Sequence, residues 1–185
     1  MRWDDLFDDL AAQAAAMETA ERAGEVGERT RIELGALGLD ERLRAALGDR
    51  LRVLIAGRLT VSGTLQRIGA DWLLLEESAG REALVALPAV LTISGLSRSA
   101  AVPGSGGAVH ARLTLRHALR GIARDRSGVR LYLREGTVID ATVDRVGGDF
   151  LDAALHAPGE PRRRGEVREV QVVPIGAIAA VRRSI

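Results

Sequence analysis

The stretch Gly63-Thr64-Leu65-Gln66-Arg67-Ile68-Gly69-Ala70-Asp71-Trp72-Leu73-Leu74-Leu75 reads as a strand, a tight Gly-Ala-Asp turn and a second strand. It returns as Ala141-Thr142-Val143-Asp144-Arg145-Val146-Gly147-Gly148-Asp149-Phe150-Leu151. Thr64, Arg67, Gly69, Asp71 and Leu73 reappear at one offset as Thr142, Arg145, Gly147, Asp149 and Leu151, and Phe150 answers Trp72. A strand–turn–strand unit used twice in one chain governs the expected architecture, because each copy has to bury its own apolar face.

Working outward from the first copy, residues 41–47 read as a short helix with Asp40 as N-cap and Gly48 as its stop. Strands follow at about 50–55, 58–68, 72–77, 82–87 and 90–93. In the longest of them Leu59, Val61, Gly63 and Leu65 face one way and Thr60, Ser62, Thr64 and Gln66 the other, the pattern of a half-buried strand. Gly63 lies on the apolar face, where a missing side chain permits a sharp bend. The second copy repeats the order. Leu37-x-Leu39-x₃-Leu43-Arg44 is matched by Leu113-x-Leu115-x₃-Leu119-Arg120 in a helix over 113–124. Its strands fall at about 129–133, 137–146, 150–155, 167–173 and 177–182, with Pro88 and Pro174 each closing a fourth strand. The expected organisation is an acidic N-terminal helix over 1–36, a first repeat over 37–96, a Gly/Ser/Pro linker over 97–111 and a second repeat over 112–185.

The short helix, the Gly63-x-Leu65 strand and Asp71 after the turn resemble the first motif of the Sm-like fold of SH3-type barrels. Ile93-Ser94-Gly95 is similar to the Ile-Arg-Gly of its second motif. The resemblance implies an α+β, mainly β chain: two tandem five-stranded Sm-like barrels, each preceded by a short helix, plus a long N-terminal helix. Sm proteins that hold uridine carry an Asn shortly after the Asp, where this chain has Leu74 and Asp152. Ser94 stands in the place of the Arg, and Val181-Arg182-Arg183 ends the second copy. The whole chain also resembles an actinobacterial family with such barrels in tandem, sometimes labelled Fis-family regulators. Its C-terminus, however, reads as strand rather than as a helix-turn-helix.

Composition sets the function classes. Aromatic residues are 3% of the chain, so Val, Leu, Ile and Ala must build the core. There is no cysteine, which excludes disulfides, thiolate metal ligands and a Cys nucleophile and agrees with a reducing compartment. The acidic start Asp4-Asp5-x-x-Asp8-Asp9 is unlike a secretory signal, and no apolar run is long enough to span a bilayer, so a cytoplasmic location and no membrane partner are expected. The net charge of +1 conceals a split. Residues 1–49 carry 6 Arg against 12 acids, and residues 50–185 carry 20 Arg against 13. All 26 basic residues are Arg, which with the abundant Ala and Gly points to a GC-rich genome and discounts any argument from Arg alone.

Two surfaces are candidates for binding. Trp3, Phe7 and Leu10 lead an apolar stripe continued by Ala14 and Met17, which packs within the protein, joins two copies, or docks a protein partner. Arg112, Arg116, Arg120 and Arg124, with Arg126 beside them, recur every four residues, about 6 Å apart along a helix axis. That spacing suits a nucleic-acid backbone, although charged helix faces are ordinarily just solvated. Arg162, Arg163 and Arg164 form a second basic spot. Chemistry finds little to work with. His110, His117 and His156 lack ligand spacing, Gly104-Ser105-Gly106-Gly107 lacks the strand and Lys of a phosphate loop, and Glu76 and Glu77 point to opposite faces of a strand. The sequence therefore implies no enzyme, no catalytic residues, no cofactor, no metal and no small-molecule substrate. It implies an interaction module whose partner is a protein or a second copy of itself, with RNA or DNA as the alternative.

Overall fold

A computed structural model describes Gln13, Met17 and residues 34–102, 112–155 and 169–183. The chain divides into two units, Met1–Leu39 and Asp40–Ile185. In the first, Gln13, Met17 and residues 34–36 are helical. The long N-terminal helix expected over 1–36 otherwise lies outside the described residues, and no described helix is long. The second unit carries helix α1 (Leu39–Ala45, beginning at the boundary), β1 (Arg50–Ile55), β2 (Leu59–Ile68), β3 (Trp72–Ser78), β4 (Arg81–Ala86) and β5 (Val90–Ser94). It continues with α2 (Leu115–Asp125), β6 (Gly128–Leu133), β7 (Val138–Val146), β8 (Phe150–Leu155), β9 (Val170–Pro174) and β10 (Ile178–Arg183).

The ten strands form one antiparallel sheet in the order β5-β1-β2-β3-β4-β10-β6-β7-β8-β9. This corrects the expectation of two separate five-stranded barrels. The reason lies in β10, which pairs with β6 of its own half and, on its other side, with β4 of the first half. The β4–β10 register is Val85↔Ala180, Leu84↔Val181 and Ala83↔Arg182. Strand β4 is buried from Ala83 to Ala86, so neither of its faces is left for water, and a neighbour on its open side completes its backbone hydrogen bonding. The edges among the described residues are β5 and β9.

Within that sheet the order 5-1-2-3-4 occurs twice, as β5-β1-β2-β3-β4 and as β10-β6-β7-β8-β9. Irregularities fall at matching places. Leu65 pairs with Leu75 and Arg67 with Leu74, leaving Gln66 as the extra residue of a bulge, and Asp144 is the extra residue between Val143 and Arg145. The bulge rephases β2, so Leu65 and Ile68 are both buried three residues apart. Leu91 in β5 and Ala179 in β10 are likewise passed over in their pairings with β1 and β6. At Gly63, read from the sequence as the place of a sharp bend, the structure shows a close backbone approach, since a Cβ there would stand 2.4 Å from the Glu76 carbonyl oxygen. The second half has Ala141 at that position, fully buried with its Cβ accommodated. Leu51, Val61, Leu65 and Leu75 from one half and Leu119, Leu131, Val143 and Leu151 from the other belong to one apolar core.

Candidate interaction surfaces

Helix α2 is held from the first half. The residue ahead of it, Thr114, has extended backbone and gives no side-chain cap, its hydroxyl lying 2.9 Å from His117 Nδ1. The cap comes from Asp71, whose carboxylate accepts the Leu115 N–H. The Leu113 carbonyl just before the helix accepts two donors from the same turn, the Ala70 N–H at 3.0 Å and the Trp72 indole N–H at 2.7 Å. Gly69 makes room for that indole, because a Cβ on it would sit 2.1 Å from Trp72 Nε1. Leu115 and Leu119 are buried and Ile122 is partly so, which fixes the inward face. Arg126 ends the helix in the left-handed region at φ 52°. A cavity of about 710 Å³ opens beside this contact, lined by Arg44, Leu47, Ile68, Trp72, Leu113 and His117 among others.

The same helix borders the β4–β10 seam. Ala118 and Ile122 share a cleft of about 330 Å³ with Trp72, Leu74, Leu84 and Val181. The seam carries a largely buried ion pair between Arg182 and Glu77 at 2.7 Å. Arg182 also donates to the Tyr132 hydroxyl at 2.9 Å, with its guanidinium 5.0 Å from the ring centroid. Burial works against the Arg182 charge, but the bonds to Glu77 and Tyr132 outweigh it and hold the guanidinium above its ordinary pKa. Seam strand β10 is thereby tied by a side chain to β3 as well as by its backbone to β4.

The arginine row is less uniform than its spacing suggests. Arg112 lies ahead of α2, which starts at Leu115 rather than 113. Arg116 is half-buried and its guanidinium reaches the Gly148 carbonyl at 3.5 Å. Arg120, Arg124 and Arg126 are exposed, with Asp125 between the last two drawn to Arg183 at 3.5 Å. Arg162, Arg163 and Arg164 lie outside the described residues, as do Trp3, Phe7 and Leu10, His110 and His156. Among the described residues no three His, Asp or Glu side chains converge on one point. No described helix is long and apolar enough to cross a membrane.

Sequence reasoning did not anticipate the two sheet edges. Leu91 on β5 and Val170 and Val172 on β9 are among the most exposed large apolar side chains of the described chain. Pairing identifies their counterparts at the seam. Phe150↔Pro174 and Asp152↔Val172 match Trp72↔Ala86 and Leu74↔Leu84, so Val172 stands where Leu84 does. Val172 is 65% exposed and Leu84 7%. Leu91 is 62% exposed, and Ala179, its counterpart, is fully buried. The signal available in the sequence was Val170-Gln171-Val172 itself, an apolar alternation on a strand bounded by a proline. No protein-family model matches the sequence, and no curated protein matches it.

Proposed function

We propose that this chain is a non-catalytic, cytoplasmic interaction module that takes up a protein partner by strand addition at its sheet edges. The observation that carries the reading is the exposure of Leu91, Val170 and Val172 on the two strands that are the edges of the sheet among the described residues. An unpaired strand offers a row of N–H and C=O groups to an extended segment, and apolar side chains along it supply the affinity. Soluble proteins ordinarily blunt such an edge with charges, proline or a short strand; β9 is short and ends on Pro174, but Val170-Gln171-Val172 carries no charge. The cysteine-free composition supports a reducing compartment.

A second reading, RNA or DNA binding, rests on exposed Arg120, Arg124 and Arg126 at one end of α2. Affinity capture from a native extract separates the two, with the eluate analysed by mass spectrometry and by nucleic-acid staining. The module reading expects retained protein that is lost with Val170→Lys/Val172→Lys or with Leu91→Lys. Nucleic acid retained by those variants, released steeply by salt and lost with Arg120→Glu/Arg124→Glu, would overturn it in favour of the second.

A further inference from the structure

The cavity of about 710 Å³ beside the start of α2 is walled by both halves of the second unit. Leu47, Ile68 and Trp72 come from the first half, and Leu113, His117 and Ala118 from the second. Its volume lies in the range of small-molecule sites, and like them it is largely apolar with a few polar groups. Leu47 and Leu113 are 50% and 42% exposed, and an apolar occupant of the cavity would cover both. The charge on its walls has one sign. Among the described residues no carboxylate lines it, whereas Arg44 and Arg67 do. Arg44 is neutralised by Asp40 at 2.7 Å. Arg67 is exposed and has no such partner among the described residues. The duplication shows what is missing. Arg145, at the matching place in β7, is paired at 2.8 Å with Asp152, the residue across the ladder from it. Across from Arg67 stands Leu74. The bulge residue before Arg67 is Gln66, where the second half has Asp144. Both carboxylates flanking Arg145 are thus replaced by neutral side chains around Arg67.

We infer that this cavity binds an organic carboxylate with an apolar body, the carboxylate held by the Arg67 guanidinium and the body lying against Ile68, Trp72 and Leu113. A guanidinium presents two parallel N–H groups that a carboxylate accepts together, a match of shape as well as charge. One unpaired guanidinium answers one negative charge, which suits a monocarboxylate better than a phosphate dianion. The other polar groups of the wall are already engaged. The Trp72 indole N–H goes to the Leu113 carbonyl at 2.7 Å, His117 Nδ1 meets the Thr114 hydroxyl at 2.9 Å, and the Gln66 amide donates to Glu76 at 2.8 Å. Orientation of the ligand therefore falls to Arg67. A molecule bound here touches both halves and so stabilises, by mass action, the fold that joins them. The site does not involve the sheet edges, so this inference and the strand-addition reading can fail separately.

The test is calorimetric titration of the full-length chain with two probes, decanoate and 2-naphthoate, and with decan-1-ol and 2-naphthol as their uncharged counterparts. Saturable one-to-one binding of a carboxylate is expected, about tenfold tighter than that of the matching alcohol. Arg67→Ala should lower the carboxylate's affinity about tenfold and leave the alcohol's unchanged. Leu74→Asp gives Arg67 the partner that Arg145 has and should act in the same direction, while Arg145→Ala should change nothing. Each variant is compared with wild type by circular dichroism, and if Leu74→Asp fails to fold, the exposed Arg67→Ala still decides. The place of binding is read separately. Trp3→Phe leaves Trp72 as the only indole, so its emission should shift as the carboxylate saturates, and Tm should rise with it. Binding of one probe carboxylate and not the other supports the site and identifies its preferred body as chain or ring. Saturable binding of neither, equal affinities for a carboxylate and its alcohol, wild-type affinity in Arg67→Ala, or unchanged Trp72 emission at saturation would each overturn the assignment.

Discussion

The turns at residues 69–72 and 147–150 share a frame and differ in employment. In each, a glycine lies under an aromatic ring: a Cβ on Gly69 would meet the Trp72 indole, and one on Gly147 would stand 2.4 Å from Phe150 Cε1. In each, the Asp carbonyl accepts an N–H from the 3-10 turn ahead of the final strand, Leu87 in one and Ile175 in the other. The first turn reaches into the other half, through Asp71 to Leu115 and Trp72 to Leu113, whereas the second is met from its own half, by Arg116 of α2 at the Gly148 carbonyl. The Phe150 side chain has no N–H to match the Trp72 indole. The two halves thus share the interactions that build each half and differ in those that join them. The ion pair makes the same point, since Arg182 and Glu77 correspond to Ser94 and Leu155, which cannot form one.

The comparison is broken or sharpened by paired substitutions, one in each half, read as chemical or thermal stability. The largest effect is expected at the bend in the long strand. Gly63→Ala forces a Cβ into the Glu76 carbonyl and should cost about 3 kcal/mol, at the upper end of overpacking effects. Ala141→Gly, the reverse change in the other half, should cost about 1 kcal/mol or less. Equal losses would mean the two strands bend alike. Next, Glu77→Ala leaves the largely buried Arg182 without its carboxylate and should cost about 2 kcal/mol. Ser94→Ala, at the position matching Arg182, should cost next to nothing. Asp71→Ala removes the α2 cap, an expected loss of about 1 kcal/mol, while Asp149→Ala in dilute protein should stay within about 0.5 kcal/mol. The smallest effect is Trp72→Phe, which leaves the Leu113 carbonyl with Ala70 alone and should cost about 0.5–1 kcal/mol. At this chain length each kcal/mol is about 2–4 °C in Tm, so the three pairs and the single Trp72→Phe change are resolvable by calorimetry.

Much of the local structure was legible because it is written in short-range pattern. The strand over 72–77, the turn at Gly69-Ala70-Asp71 and the role of Gly63 follow from alternation and from what a glycine allows. The bulge was legible only in hindsight. Leu65 with Ile68, and Val143 with Val146, are apolar three residues apart, which an unbroken strand could not bury on one face. The joining of the halves was not legible. Alternation reports whether a face is buried but not which strand lies alongside, and β4 (Arg81–Ala86) and β10 (Ile178–Arg183) are far apart in the chain. The arginine spacing was real as sequence yet did not determine a surface. Arg112 falls outside α2, and Arg116 is turned toward the Gly148 carbonyl. The Trp72 ring is buried while its indole N–H is spent on the seam, a role that shows in the sequence only as the Trp-to-Phe difference between the two halves.

The seam is the claim on which the rest depends, and a cysteine pair tests it most directly. Leu84 and Val181 are opposed in the β4–β10 ladder, where Cα atoms lie about 4.5–5.5 Å apart, within reach of a disulfide. Leu84→Cys/Val181→Cys protein, oxidised at high dilution and read by mass spectrometry under denaturing conditions, should be a single chain that has lost two hydrogens. Two free thiols, or disulfides that form only between chains, would show that the halves do not share a sheet.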